Sequence, residues 1–99
     1  MKHSLPIADC ADRLKVLADE TRLSVMRKLL DGPKHVGDIN ESLGLEPSLL
    51  SHHLKILREA GLVESKRDGK AVLYRLSPDV KAKPSGQGIN LGCCLLSFD

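Results

Sequence analysis

Aromatic residues are almost missing from this chain of 99 residues: Tyr74 and Phe98 are present, with no tryptophan. The core must therefore be built from Leu, Val, Ile and Met. No apolar run reaches the ~18 residues of a membrane span, so a spanning helix is excluded. The opening Met1-Lys2-His3-Ser4-Leu5-Pro6 lacks the apolar segment of a secretory signal. The expected location is cytoplasmic, with no membrane partner. Eight glycines and five prolines do not suggest a low-complexity chain, and there are no internal repeats. Cysteine is scarce and odd in number: Cys10, Cys93 and Cys94. In a cytoplasmic chain that argues against a disulfide framework and for reduced thiols, with a redox or metal role open to them. One domain is expected at this length. Its modest core makes dimerisation a natural source of stability.

The net charge of +2 says little, but its distribution says more. Residues 47–76 carry six bases (Lys55, Arg58, Lys66, Arg67, Lys70, Arg75) against three acids (Glu59, Glu64, Asp68). Residues 1–46 hold seven bases and eight acids, and residues 77–99 are neutral. A positive middle third is what a polyanion-binding surface needs.

Apolar residues at Ile7, Ala11, Leu14, Leu17 and Ala18 have helical spacing and predict a helix over 7–18. Asp19 can cap a second helix over 20–31, stopped by Gly32-Pro33. A third runs over 35–43 and stops at Gly44. Pro47 suits the first position of a fourth helix over 47–60. That helix has two faces: Leu50, Leu54 and Leu57 inward, and Ser48, Ser51, His52, Lys55 and Glu59 outward. The period then becomes strand-like over 62–67 and 70–76, around a turn at Asp68-Gly69. Residues 79–88 read as a linker, and 89–99 as an apolar, strand-like tail carrying two cysteines. The fold expected is mainly α with a β-hairpin: a winged helix-turn-helix over 1–78, the linker, and a tail packing at a dimer interface.

A short helix, a three-residue turn and a second helix with a polar outer face can lay that helix in the major groove of double-stranded DNA. Ser48, Ser51 and His52 suit base edges and nearby phosphates, Lys55 suits a phosphate, and Leu49 flanks the face where a thymine methyl would lie. Arg67 and Lys70 form a basic wing tip for the backbone or the adjacent minor groove. Lys66 alone is better explained as an ordinary solvated charge.

Leu17-Ala18-Asp19-Glu20-Thr21-Arg22-Leu23-Ser24-Val25-Met26 resembles the opening signature of the ArsR/SmtB winged-helix repressors. The stretch from Ser51-His52-His53-Leu54-Lys55 to Gly61-Leu62-Val63 resembles their recognition helix and its exit. Arg67-Asp68-Gly69-Lys70 with Tyr74-Arg75-Leu76 resembles their wing. The resemblance covers about residues 11–77. It implies a homodimeric repressor on a palindromic operator, released by an inducer, with His53 packed rather than reading bases.

Two of that family's metal sites are not expected. The arsenic-type Cys-Val-Cys-Asp-Leu motif is matched by His35-Val36-Gly37-Asp38-Ile39, which has no thiol. The zinc-type site needs Asp and His on a helix after the wing, where this chain has only Asp79 and then Pro84. That leaves Cys10, Cys93 and Cys94, soft ligands for As(III), Cd(II), Pb(II), Cu(I) or Zn(II). Other family members build trigonal sites from cysteines near the termini. One difficulty is geometric: on a strand, Cys93 and Cys94 point to opposite faces and cannot share an ion unless Gly92 permits a bulge or turn. Cys94 of one subunit with Cys10 of the other is an alternative. Three readings stay open for these cysteines: a metal or metalloid site, a redox switch, or small buried hydrophobes.

A protein-docking winged helix is disfavoured because the outward face is too polar and basic for an interface core. An enzyme is not expected. Ser51, His52 and His53 are adjacent on a helix and do not face one another, and no orienting acid or glycine-rich loop accompanies them.

Overall fold

A computed structural model describes residues 6–80 and 88–98. Its elements are α1 (Ile7–Leu17), α2 (Glu20–Leu29), β1 (Lys34–His35), α3 (Val36–Leu43), α4 (Pro47–Glu59), β2 (Val63–Asp68), β3 (Ala71–Leu76), β4 (Gly88–Asn90) and β5 (Leu95–Ser97). The four helices and the β2–β3 hairpin lie where the apolar spacing predicts them, with ends within two residues. Among the described residues, no helix is long and apolar enough to cross a membrane.

Each boundary has a local cause. The Asp19 carboxylate accepts the Arg22 backbone N–H at 2.9 Å, capping α2. Gly44 adopts φ 61° and ends α3. The Asn40 side chain then clasps Leu45, donating to its carbonyl and accepting its N–H, both at 2.8 Å. That clasp shapes the turn into α4, which opens on Pro47. At the other end Leu62 N–H reaches Leu57 O and Gly61 N–H reaches Arg58 O, both at 3.0 Å. With Gly61 at φ 75°, this is the Schellman pattern that stops α4.

In the three-stranded sheet, β3 lies between β1 and β2. Pairing of β2 with β3 runs from Val63↔Leu76 to Asp68↔Ala71. The two-residue loop is therefore Gly69-Lys70, one residue later than the expected Asp68-Gly69. Strand β1, whose Lys34 and His35 pair with Tyr74 and Leu73, has no counterpart among the elements expected from residue spacing.

Leu50, Leu54 and Leu57 are fully buried with Val25, Met26, Leu29 and Ile39, so α4 is held against α2 and α3 by its inward face. Truncating one such leucine to alanine costs about 2–5 kcal/mol. On α1, Cys10 and Leu17 face inward, whereas Ile7 (87% exposed) and Leu14 (44%) form an outward apolar face.

The C-terminal segment is not one continuous strand. It is a hairpin in which β4 pairs with β5 from Gly88↔Ser97 to Asn90↔Leu95. Leu91 N–H donates to Cys94 O at 2.9 Å, leaving Gly92-Cys93 as the loop. Gly92 has φ 94°, a conformation open to glycine at the first position of such a turn. Ile89 and Leu91 are fully buried in the same core as the helices, and Asn90 N–H reaches Val80 O at 2.8 Å. The hairpin thus packs on its own chain. Most of the expected linker, residues 81–87, lies outside the described residues.

Candidate DNA interface and thiol cluster

Ser48, Leu49, Ser51, His52 and Lys55 are all exposed along one side of α4, with Leu49 at 45%. At the helix start the Ser48 hydroxyl donates to the Glu46 carboxylate. His53 turns inward, its side chain 12% exposed. Arg22 Nη1 stands 3.1 Å from His53 Nδ1, and Arg22 Nε donates to Val16 O at 2.6 Å. One guanidinium therefore holds α1, α2 and α4 together. The Asp19 carboxyl lies below its ordinary range. The largest cause is the Arg22 backbone N–H it accepts; burial opposes this, and the charge of Arg22 adds to it.

The bases of α4 and the wing divide into two kinds. Arg75 is paired across the strands with Glu64 at 2.9 Å, and Arg58 donates to the Tyr74 hydroxyl at 3.3 Å. Lys55, Lys66, Arg67 and Lys70 are exposed and, among the described residues, have no ion-pair partner. Their charge is available to phosphates. The wing is also tied to the body: His35, at the start of α3, stands 2.7 Å through Nε2 from an Asp68 carboxylate oxygen at the wing's tip. No residue spacing announces this contact, because a turn and a sheet pairing bring the two together. Arg22 and Asn40 were equally silent, although the Asp19–Arg22 separation suits a helix cap.

The second cluster joins the two ends of the chain. The sulfur atoms of Cys10, Cys93 and Cys94 lie within 4.8 Å of one another, Cys10 buried and the other two exposed. Cys93 and Cys94 Sγ are 3.8 Å apart, because the Gly92-Cys93 loop turns where a strand would have sent them to opposite faces. Cys10 and Cys93 are joined as a disulfide, their Cα atoms 6.1 Å apart, within the usual span of about 4.4–6.8 Å. Cys94 is a free thiol. The expectation of three unpaired thiols is corrected to that extent: docking of the hairpin on α1 brings Cys93 against Cys10. When reduced, the three sulfurs fit a soft ion. Sulfurs bound at about 2.3 Å to one centre stand roughly 4 Å apart, a spacing within the spread of this set. All three lie in one chain, so the cluster needs no cysteine from a second subunit.

A family model for bacterial regulatory proteins of the arsR family matches residues 19–65. The HTH-type transcriptional regulator NmtR of Mycobacterium tuberculosis is 41% identical over 69 residues, covering 70% of this chain and 58% of that protein. The transcriptional activator HlyU of Vibrio cholerae is 43% identical over 70 residues, covering 70% and 65%. The arsenical resistance operon repressor of Escherichia coli is 44% identical over 83 residues, covering 83% and 68%. The chain thus spans about three fifths to two thirds of the length of these curated relatives. The solved structure of V. cholerae HlyU superimposes with TM-score 0.69 at 39% identity, over 72% of this chain and 77% of that one. A homodimeric winged helix-turn-helix DNA-binding domain from Mycobacterium bovis gives 0.67 at 31% identity, over 72% and 66%.

Proposed function

The chain belongs to the arsR family of bacterial regulatory proteins, and from that premise we propose that it is a cytoplasmic homodimeric repressor, released from its operator when a thiophilic metal or metalloid binds Cys10, Cys93 and Cys94. The observation that carries this reading is the convergence of three sulfurs from opposite ends of the chain. As(III), Cd(II) and Zn(II) all favour thiolate donors. In the arsenite case each thiol gives up its proton and displaces a hydroxide of arsenous acid as water, so three As–S bonds form and three waters leave.

On DNA, the exposed face of α4 enters the major groove. Ser48, Leu49, Ser51 and His52 meet base edges there, and Lys55 meets a phosphate. Arg67 and Lys70 lie along the backbone or in the neighbouring minor groove. The outward face of α1, with Ile7 and Leu14, and the exposed Leu95 of the hairpin supply apolar surface for a second copy. A two-fold dimer calls for a palindromic operator.

A second reading is favoured by the Cys10–Cys93 disulfide and the free thiol beside it: a repressor that senses oxidation. Two thiols lose two electrons and two protons to a peroxide, which becomes water. Fluorescence anisotropy of promoter DNA separates the two. The reduced dimer binds with steep salt dependence, and Ala at Ser51, His52 and Lys55 together abolishes binding. As(III) or Cd(II) releases the wild type but not the Cys93→Ser/Cys94→Ser variant. Release by hydrogen peroxide alone would replace the first reading with the second, and no salt-dependent binding would remove both.

A further inference from the structure

The thiol cluster contains no residue of α4, so inducer occupancy must reach the recognition helix through something else. The geometry points to Arg13 as the positioning residue that couples the two, an inference that rests on the thiolate reading above. Arg13 is on α1 one turn after Cys10, and residues three apart share a helix face. Its side chain is 14% exposed. Nη1 donates to the Leu91 carbonyl at 3.4 Å. Leu91 is also the residue whose N–H closes the Gly92-Cys93 turn through Cys94 O. A movement of that turn is thus presented directly to Arg13.

The other end of the guanidinium faces the exit of α4. Nη2 stands 3.4 Å from where a Cβ on Gly61 would be, and Gly61 N–H is part of the cap that ends α4. Nη2 also lies 3.8 Å from Asp79, just beyond the wing. Elsewhere on this side a cleft of about 500 Å³ is lined by residues of α1 and the last turns of α4, with Asp9, Asp12 and Glu59 on its walls. Arg13 is the single cation among its lining residues. Arg13 thus lines this cleft from the α1 side, while its guanidinium contacts Leu91, Gly61 and Asp79. Drawing three sulfurs onto one ion reshapes the turn at Leu91, shifts Arg13, and changes the support of the α4 C-terminus and the wing exit together.

The test compares coupling with affinity. Reduced wild type, Arg13→Gln and Arg13→Lys are titrated with arsenite alone and then with promoter DNA, with and without arsenite. In wild type, arsenite weakens DNA binding by roughly 5- to 150-fold, the usual range of allosteric coupling. Arg13→Gln is expected to bind arsenite with unchanged stoichiometry and apo DNA within about threefold, while the arsenite effect falls below about threefold. Arg13→Lys keeps the charge and stem but cannot span both contacts. It gives the same loss of coupling and stands in if the glutamine variant unfolds. Amide exchange at Ala60 to Leu62 responds to arsenite in wild type and not in the variants. Wild-type coupling in a folded Arg13 variant that binds arsenite overturns the role of Arg13. Failure of wild type to bind arsenite, or to release DNA on binding it, overturns the thiolate reading and this inference with it.

Discussion

Arg22 Nη1 stands 3.1 Å from His53 Nδ1, so a residue at the start of α2 fixes the middle of the recognition helix from behind. The donor is the guanidinium, so the imidazole accepts through Nδ1 and carries its hydrogen on Nε2. Changing His53 to Ala leaves a partly buried guanidinium without that acceptor, at a cost of about 1–3 kcal/mol. Changing Arg22 to Ala also loses the bond to Val16 O. A double-mutant cycle by urea unfolding is expected to return an interaction energy of about 0.5–3 kcal/mol. Additive effects would show that the contact does not hold α4.

Asp19 makes stability depend on acid pH in a definite direction. Its folded-state pKa lies below the ordinary value of 3.8, chiefly because it accepts the Arg22 backbone N–H. The stabilisation is present above that ordinary value and is lost as pH falls through the lower folded one. Asp19→Asn keeps a capping side chain but removes the titration. The stability gap between wild type and Asp19→Asn, followed by thermal melts, is therefore expected to close as pH falls below the ordinary carboxylate value and through the lower folded one. Asp19→Ala loses the cap itself and costs about 1 kcal/mol at neutral pH.

The wing separates charges held by the protein from charges available to DNA. Arg67→Ala and Lys70→Ala are each expected to weaken binding across all sequences and to lower the salt slope by about 1. Arg75→Ala removes an exposed pair with Glu64, a change worth less than about 1 kcal/mol of stability, and leaves the slope unchanged. Anisotropy over a salt series reads all three.

The inward leucines of α4, the cap at Asp19, the stops at Gly44 and Gly61 and the alternation of β3 are local signals. They made most of the winged helix legible from the residues alone, and the outward face of α4 with it. Contacts made by tertiary structure were not legible. Strand β1 is two residues long and exists because β3 offers an edge. His35, which looked like the remnant of a metal motif, ties the wing at Asp68. Gly92 is the residue that decides whether Cys93 and Cys94 can meet. That it turns follows from the burial of Ile89 and Leu91: they anchor this stretch in the core, and the chain must reverse to pack Leu96 beside it. A single arginine such as Arg13 has no signature at all; its contacts lie 48 to 78 positions away in sequence.

The claim that sulfurs from both ends of one chain close on a single ion is tested most directly by X-ray absorption at the arsenic edge of the reduced, arsenite-loaded protein. Three sulfurs around arsenic are expected in wild type, falling to two sulfurs and an oxygen in Cys10→Ser. An arsenic environment that is the same in both proteins would contradict it.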